Sequence, residues 1–148
     1  MWNAVDLYNY AQSFRDAYSI MMKPLCDELG MAQNAVDILM FIANNPDKNT
    51  SAEIKKYIHI GQGLISFYAD KLEMNGYLRR ETGADRRKCY LFPTEKAMPI
   101  IEKGREFQQN FQSRMLSGLT KEQMDSFFDV ILAIKGNLEQ MAEGQSNE

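Results

Sequence analysis

The side chains best suited to chemistry in this 148-residue chain lie in its middle third. Asp85, Arg86, Arg87 and Lys88 follow Thr82-Gly83-Ala84, so one short turn carries three cations and one anion. Cations on a protruding turn can neutralise phosphates, and a guanidinium suits the narrow, negative minor groove of a duplex. Asp85 can pair with Arg87 and fix the loop, leaving Arg86 and Lys88 to project; alternatively Arg87 itself enters the groove, or the turn is an ordinary solvated hairpin tip. Upstream, Gln62, Ser66, Phe67 and Lys71 share the outer side of an expected helix, with Asp70 among them, because Ile65, Ala69 and Leu72 recur at the spacing of its inner side. Gln62 and Ser66 can hydrogen-bond phosphates or base edges, and Lys71 can neutralise a phosphate. Phe67 can touch a thymine methyl or pack against the hairpin or the preceding helix.

Catalysis finds little support. His59 is the only histidine, with no cysteine or carboxylate at a telling spacing. Neither a phosphate-cradling glycine loop nor a nucleophile elbow is present. Cys26 and Cys89 make no disulfide framework, and one histidine with two cysteines cannot complete a four-ligand zinc site. The expectation is a chain that is not an enzyme and uses no cofactor and no metal.

The elements that must carry these residues follow from periodicity. Leu7, Ala11, Phe14, Tyr18, Met21 and Leu25 form one apolar stripe of a helix over 3–29, with Pro24 expected to kink or divide it and Gly30 to stop it. A mostly buried helix spans 32–44 and closes at Asn45-Pro46. Thr50 and Glu53 fit a capping box that opens a third helix, running to about 57 or 58. A turn at 59–63 leads into the helix over 62–75, so two short helices make a helix-turn-helix whose second member reads DNA. Asn75-Gly76 then introduces runs at 77–81 and 89–92 around the charged turn, a hairpin ended by Pro93. Thr94 caps a helix over 95–116, with Pro99 in its early turns. Thr120 and Gln123 fit another capping box before a helix over 121–143 that carries Met124, Phe127, Phe128, Ile131, Ile134, Leu138 and Met141 along one side.

Composition limits the classes. The chain is 45% hydrophobic and 25% charged, ordinary for a globular domain. Its apolar runs fall far short of the ~20 residues of a membrane span, and the N-terminus lacks the pattern of a signal peptide, so a cytoplasmic protein without a membrane partner is expected. The formal net charge of −3 conceals an asymmetry. Residues 51–105 hold 11 Lys+Arg against 7 Asp+Glu, while the rest holds 6 against 13. A basic middle between acidic ends fits a face presented to phosphate. The terminal helices carry apolar stripes wider than one small winged helix covers, which predicts an intersubunit bundle in a homodimer.

With these residues in place, the chain resembles the MarR family of bacterial transcriptional regulators over nearly its full length. The resemblance rests on Ser51-Ala52-Glu53-Ile54, Leu64-Ile65-Ser66, Asp70-Lys71-Leu72-Glu73, Asn75-Gly76-Tyr77-Leu78, and the wing Asp85-Arg86-Arg87 with Leu91 and Thr94. It implies a dimeric winged helix that binds double-stranded DNA at a pseudo-palindromic operator, usually as a repressor. It also implies release by a small aromatic or lipophilic effector held between the dimerisation and DNA-reading parts. By position, Arg87 is the wing arginine, Asp85 its partner and Ser66 a recognition-helix contact. Phe67 stands where many members have arginine, which implies an altered sequence preference; Pro93 and Ala97 are further departures.

The expected fold is therefore mainly α with a small β-wing: a winged helix-turn-helix flanked by N- and C-terminal dimerisation helices. Residues 1–148 form a single domain, with 1–30 and 95–143 as dimerisation helices and 31–94 as the DNA-binding part. An effector pocket under the first, second and fifth helices would be lined by Tyr18, Met22 and Phe41, with Ile100 a further candidate. Two alternatives stand beside DNA binding: a winged helix used only for protein interaction, and a regulator that senses oxidants through Cys26, although a buried, inert thiol is the simpler reading.

Overall fold

The computed structural model describes residues 3–83 and 88–144. Two compact units, Met1–Phe111 and Gln112–Glu148, are taken in turn.

In the first unit, α1 spans Ala4–Leu29. Asn3 caps it: the Asn3 side-chain oxygen accepts from the amides of Val5 and Asp6 at 2.8 and 3.1 Å, and the Asp6 carboxylate accepts from the Asn3 amide at 3.1 Å. Gly30, at φ +62°, ends it in the left-handed conformation that glycine adopts without strain. Pro24 does not divide the helix. Both Pro24 and Ile20, whose carbonyl loses its usual donor, are exposed, so water can replace the missing bond.

Helix α2 (Gln33–Asn44) is the centre of the core, with Val36, Ile38, Leu39, Met40 and Ile42 all essentially buried. Asn45 closes it, its side-chain amide donating to the Phe41 carbonyl at 2.9 Å. Helix α3 (Ser51–Ile58) starts at Thr50, whose hydroxyl accepts from the Glu53 amide at 3.3 Å. Helix α4 (Gln62–Met74) follows a three-residue turn. Ile54 of α3 and Ile65, Ala69 and Leu72 of α4 face the α2 core, the isoleucines and the leucine each contributing about 1.5–3 kcal/mol of burial.

Strands β1 (Leu78–Thr82) and β2 (Cys89–Pro93) pair antiparallel with Leu78 opposite Pro93 and Thr82 opposite Cys89. Leu78 and Leu91 turn inward and anchor the hairpin on the core. An isolated bridge between Thr50 and Tyr90, with the Leu91 amide donating to the Asn49 carbonyl at 2.8 Å, ties the segment before α3 to the hairpin.

Thr94 does not act as a side-chain helix cap. Its hydroxyl donates to the Gly76 carbonyl at 2.6 Å and its amide to the Tyr77 carbonyl at 3.0 Å. The chain therefore leaves the hairpin through a 3-10 turn, Glu95–Ala97, before α5 (Met98–Met115), in which Pro99 sits in the first turn where no amide is needed. Ile100 and Ile101 are buried, and Gly104 lies against Met40.

In the second unit, the end of α5 turns at Gly118 (φ +84°) into α6 (Lys121–Gly144). Thr120 and Gln123 form the expected reciprocal cap: the Thr120 amide donates to the Gln123 side-chain oxygen at 2.9 Å and the Gln123 amide to the Thr120 hydroxyl at 3.3 Å. Phe128, Ile131, Ile134, Leu138 and Met141 are exposed along α6. In the first unit, Val5, Leu7, Tyr8, Tyr10 and Phe14 are likewise exposed along α1. No helix among the described residues is long and apolar enough to cross a membrane.

Candidate nucleic-acid interface

The turn between α3 and α4 decides how the outer side of α4 is presented. His59 takes φ +55°, and Gly61 starts α4 in extended conformation. The expected glycine turn thus places its left-handed residue at His59, a type enriched there among non-glycine residues. The His59 side chain is exposed at the corner.

The two sides of α4 separate as its periodicity predicts. Ile65, Ala69 and Leu72 are buried, while Gln62, Ser66, Phe67, Asp70 and Lys71 are all exposed. Phe67 is 56% exposed; its ring meets Tyr68 edge to face at 5.1 Å, with the Lys71 ammonium 5.8 Å from its centroid. Gln62 and Ser66 carry hydrogen-bonding groups on one flank of Phe67, and Lys71 carries a charge on the other.

Arg80 of β1 contributes a contact that periodicity does not reveal. Its guanidinium pairs with Asp70 and, at 3.3 Å, with Glu73, so a strand residue clasps the outer side of α4. The Asp70 hydrogen bond raises the Arg80 pKa further above its ordinary value. Asp70 is engaged by this clasp rather than presented as a lone anion next to Lys71. Arg79 pairs with Glu81 and lies 4.8 Å from the Phe92 ring across the hairpin, which leaves fewer unpaired cations on the strands than their sequence implies.

Lys88 is exposed beside β2 and borders a shallow cleft of about 500 Å³ with Asp47, Thr50, Ser51, Glu53, Cys89 and Tyr90. Asp85, Arg86 and Arg87, the expected wing charges, lie outside the described residues.

A second cleft, of about 510 Å³, lies between α1, α2 and the α3–α4 turn, lined by Phe14, Arg15, Tyr18, Ser19, Gln33, Asn34, Asp37, Ile58, His59 and Ile60. Of the residues expected around an effector pocket, Tyr18 borders it. Met22 does not: it is fully buried in the core. Phe41 does not either, being stacked on Tyr57 at 5.5 Å, and Ile100 is buried behind. The acid of this cleft is Asp37, which periodicity does not single out because one acid in an apolar helix carries no spacing signal. Its carboxylate accepts from the Tyr18 hydroxyl at 2.8 Å and from Gln33 at 3.3 Å. Burial raises the Asp37 pKa, opposed by those two hydrogen bonds. Burial and the neighbouring Asp37 charge push the Tyr18 phenol well up.

Cys26 sits in the core and Cys89 is exposed on β2. Burial, Asp37 and Asp27 raise the Cys26 thiol, the opposite of what a reactive thiolate requires.

A family model described as the MarR family matches residues 29–88, which run from the end of α1 to the charged turn. The transcriptional regulator PA3341 is 25% identical, with 90% of this chain and 97% of that one aligned at a TM-score of 0.80. A MarR-family regulator from Listeria monocytogenes, solved in complex with 26mer DNA, is 21% identical over 93% of this chain and 90% of that one, also at 0.80. A MarR regulator from Methanosarcina mazei Go1 superposes at 0.80 with 15% identity, over 95% and 94% of the two chains. A helix-turn-helix with its paired strands, matched by the MarR-family model over residues 29–88 and by whole-chain structural similarity, gives this chain the winged-helix fold of MarR-family regulators.

Proposed function

We propose that this chain is a homodimeric, sequence-specific DNA-binding transcriptional regulator that acts as a repressor in the cytoplasm and releases its operator when a small lipophilic or aromatic effector binds. The observation that carries the DNA reading is the outer side of α4. Gln62, Ser66, Phe67 and Lys71 are exposed together while the inner side is buried, and two paired strands follow with a basic sequence between them. A helix with free polar groups on its outer side can lie in a major groove, and Arg86, Arg87 and Lys88 would then reach the adjacent backbone or minor groove. The similar Listeria protein solved with DNA supports the same reading.

The exposed apolar residues of α1 and α6 support a homodimer, in which residues 1–30 and 95–143 would supply the interface and 31–94 the DNA-binding part. Two recognition helices about one duplex turn apart would read a pseudo-palindrome. Effector release is supported by the cleft beside Tyr18 and Asp37, which touches both α1 and the α3–α4 turn. A compound bound there would alter how α4 is held.

Selection of bound sequences from a random duplex library tests the proposal. Enrichment of a pseudo-palindrome with half-sites about 10 base pairs apart is the expected result. Failure to enrich any sequence, with only weak salt-labile binding left, would instead favour a winged helix that serves protein partners.

A further inference from the structure

Resting on the DNA-binding reading, we propose that Phe67 is the specificity-determining residue of α4 and reads the 5-methyl group of thymine. At 100° per residue, the direction opposite the buried Ile65, Ala69 and Leu72 is occupied by Gly63, Phe67 and Met74. The outermost line of the recognition helix is therefore apolar, while Ser66 lies to one flank, with Gln62 beyond it, and Lys71 to the other. Asp70, the remaining polar group near that line, is held by Arg80.

A phenyl ring has no conventional hydrogen-bond donor or acceptor with which to read a base edge. The one apolar feature that distinguishes bases in the major groove is the thymine methyl, so a ring in that position selects thymine. The local geometry favours such an approach. The Phe67 ring is braced edge to face by Tyr68, which limits the freedom lost on contact. One turn earlier, a side chain at Gly63 would meet nothing within 4 Å, so the backbone next to the ring is open to a base pair. Phe67 is already 56% exposed, so its replacement leaves the core intact.

The test replaces each thymine of the selected operator by deoxyuridine, which removes only the methyl group and keeps every hydrogen-bonding atom. For the wild-type chain, substitution at one thymine per half-site should weaken binding about fourfold, and substitution in both half-sites about fifteenfold, as expected for one buried methyl each. Phe67→Ala should bind the thymine operator more weakly and lose the difference between thymine and uracil; Phe67→Leu should keep part of it. Circular dichroism and light scattering establish that both variants remain folded and in the wild-type oligomeric state. The proposal is overturned if wild type binds every uracil duplex as tightly as the parent, or if Phe67→Ala retains the full uracil penalty. Absence of any selected duplex would refute the DNA-binding reading itself, an outcome separate from intact binding that ignores the methyl.

Discussion

Asp37 shows how one side chain links packing to pH. It lies on α2 among apolar neighbours, with Tyr18 and Gln33 as its hydrogen-bond donors and a cleft beside it. Burial is the leading influence and holds its carboxyl above the ordinary value of 3.8. The sign of the consequence follows from proton linkage. The folded chain keeps this proton at pH values where the unfolded chain has lost it. The contribution is therefore fully present below the unfolded value and disappears as pH rises through the folded one. Asp37→Asn removes that titration while leaving an acceptor for Tyr18. Its unfolding temperature, measured relative to wild type, should improve as pH rises above the ordinary aspartate value and level off once the folded carboxyl has ionised. A difference that does not change with pH would contradict this account of Asp37. The opposite sign of charge in the cleft, Arg15, comes from α1, so the cleft presents both a cation and an acid.

At the scale of elements, close approach between α2 and α5 depends on Gly104. A Cβ at that position would lie 2.2 Å from the Met40 sulfur and 3.0 Å from two of its carbons, so the Met40 side chain, 1% exposed in the core, would have to shift. Alanine would regain up to about 1 kcal/mol of helix propensity, which partly offsets the overpacking. Valine regains less of that propensity and adds two further methyl groups to the contact. Gly104→Val should destabilise the chain by about 1–3 kcal/mol, read as a lower denaturant midpoint with an unchanged slope. A wild-type midpoint would show that the two helices are not in contact there. The Arg80 clasp acts between α4 and β1 in a different way. Its partners are partly to largely exposed, so it contributes little to stability, but it joins the outer side of α4 directly to β1.

The elements themselves were largely legible in the sequence. Helix-period stripes predicted α1, α2, α4 and α6 to within a residue or two, and Thr50, Gly30 and Thr120 marked ends that the structure uses. What was not legible depends on partners distant in sequence. Thr94 has the right residue type to cap a helix, but the Gly76 carbonyl, 18 residues away, takes its hydroxyl. Pro24 has the right type to break a helix, but exposure lets water serve the freed carbonyl. The Arg80 contacts and the Thr50–Tyr90 bridge leave no periodic trace. Within the site, the outer side of α4 was readable because burial on one side leaves the other by elimination. The cleft was not, since Met22 and Phe41 are apolar at helical spacing whether they face a pocket or the core.

For the whole molecule, the charge asymmetry and the exposed apolar helices belong to one economy. A chain with net charge −3 approaches DNA only if its basic residues are gathered on one side, and residues 51–105 hold that surplus. The acidic remainder contains α1 and α6, whose exposed leucines, isoleucines and aromatics would be covered in the proposed dimer. Dimerisation and DNA recognition would then use different parts of the sequence, so a wing substitution should affect one and spare the other. Titration of the selected operator by fluorescence anisotropy at several salt concentrations tests this most directly, comparing wild type with Arg87→Ala. Wild type should bind as a dimer with affinity falling steeply as salt rises, and Arg87→Ala should remain folded and dimeric while losing about tenfold or more in affinity, its salt slope shallower by about one per half-site. Equal affinity and equal salt slope for the two proteins would contradict the assignment of this winged helix to DNA.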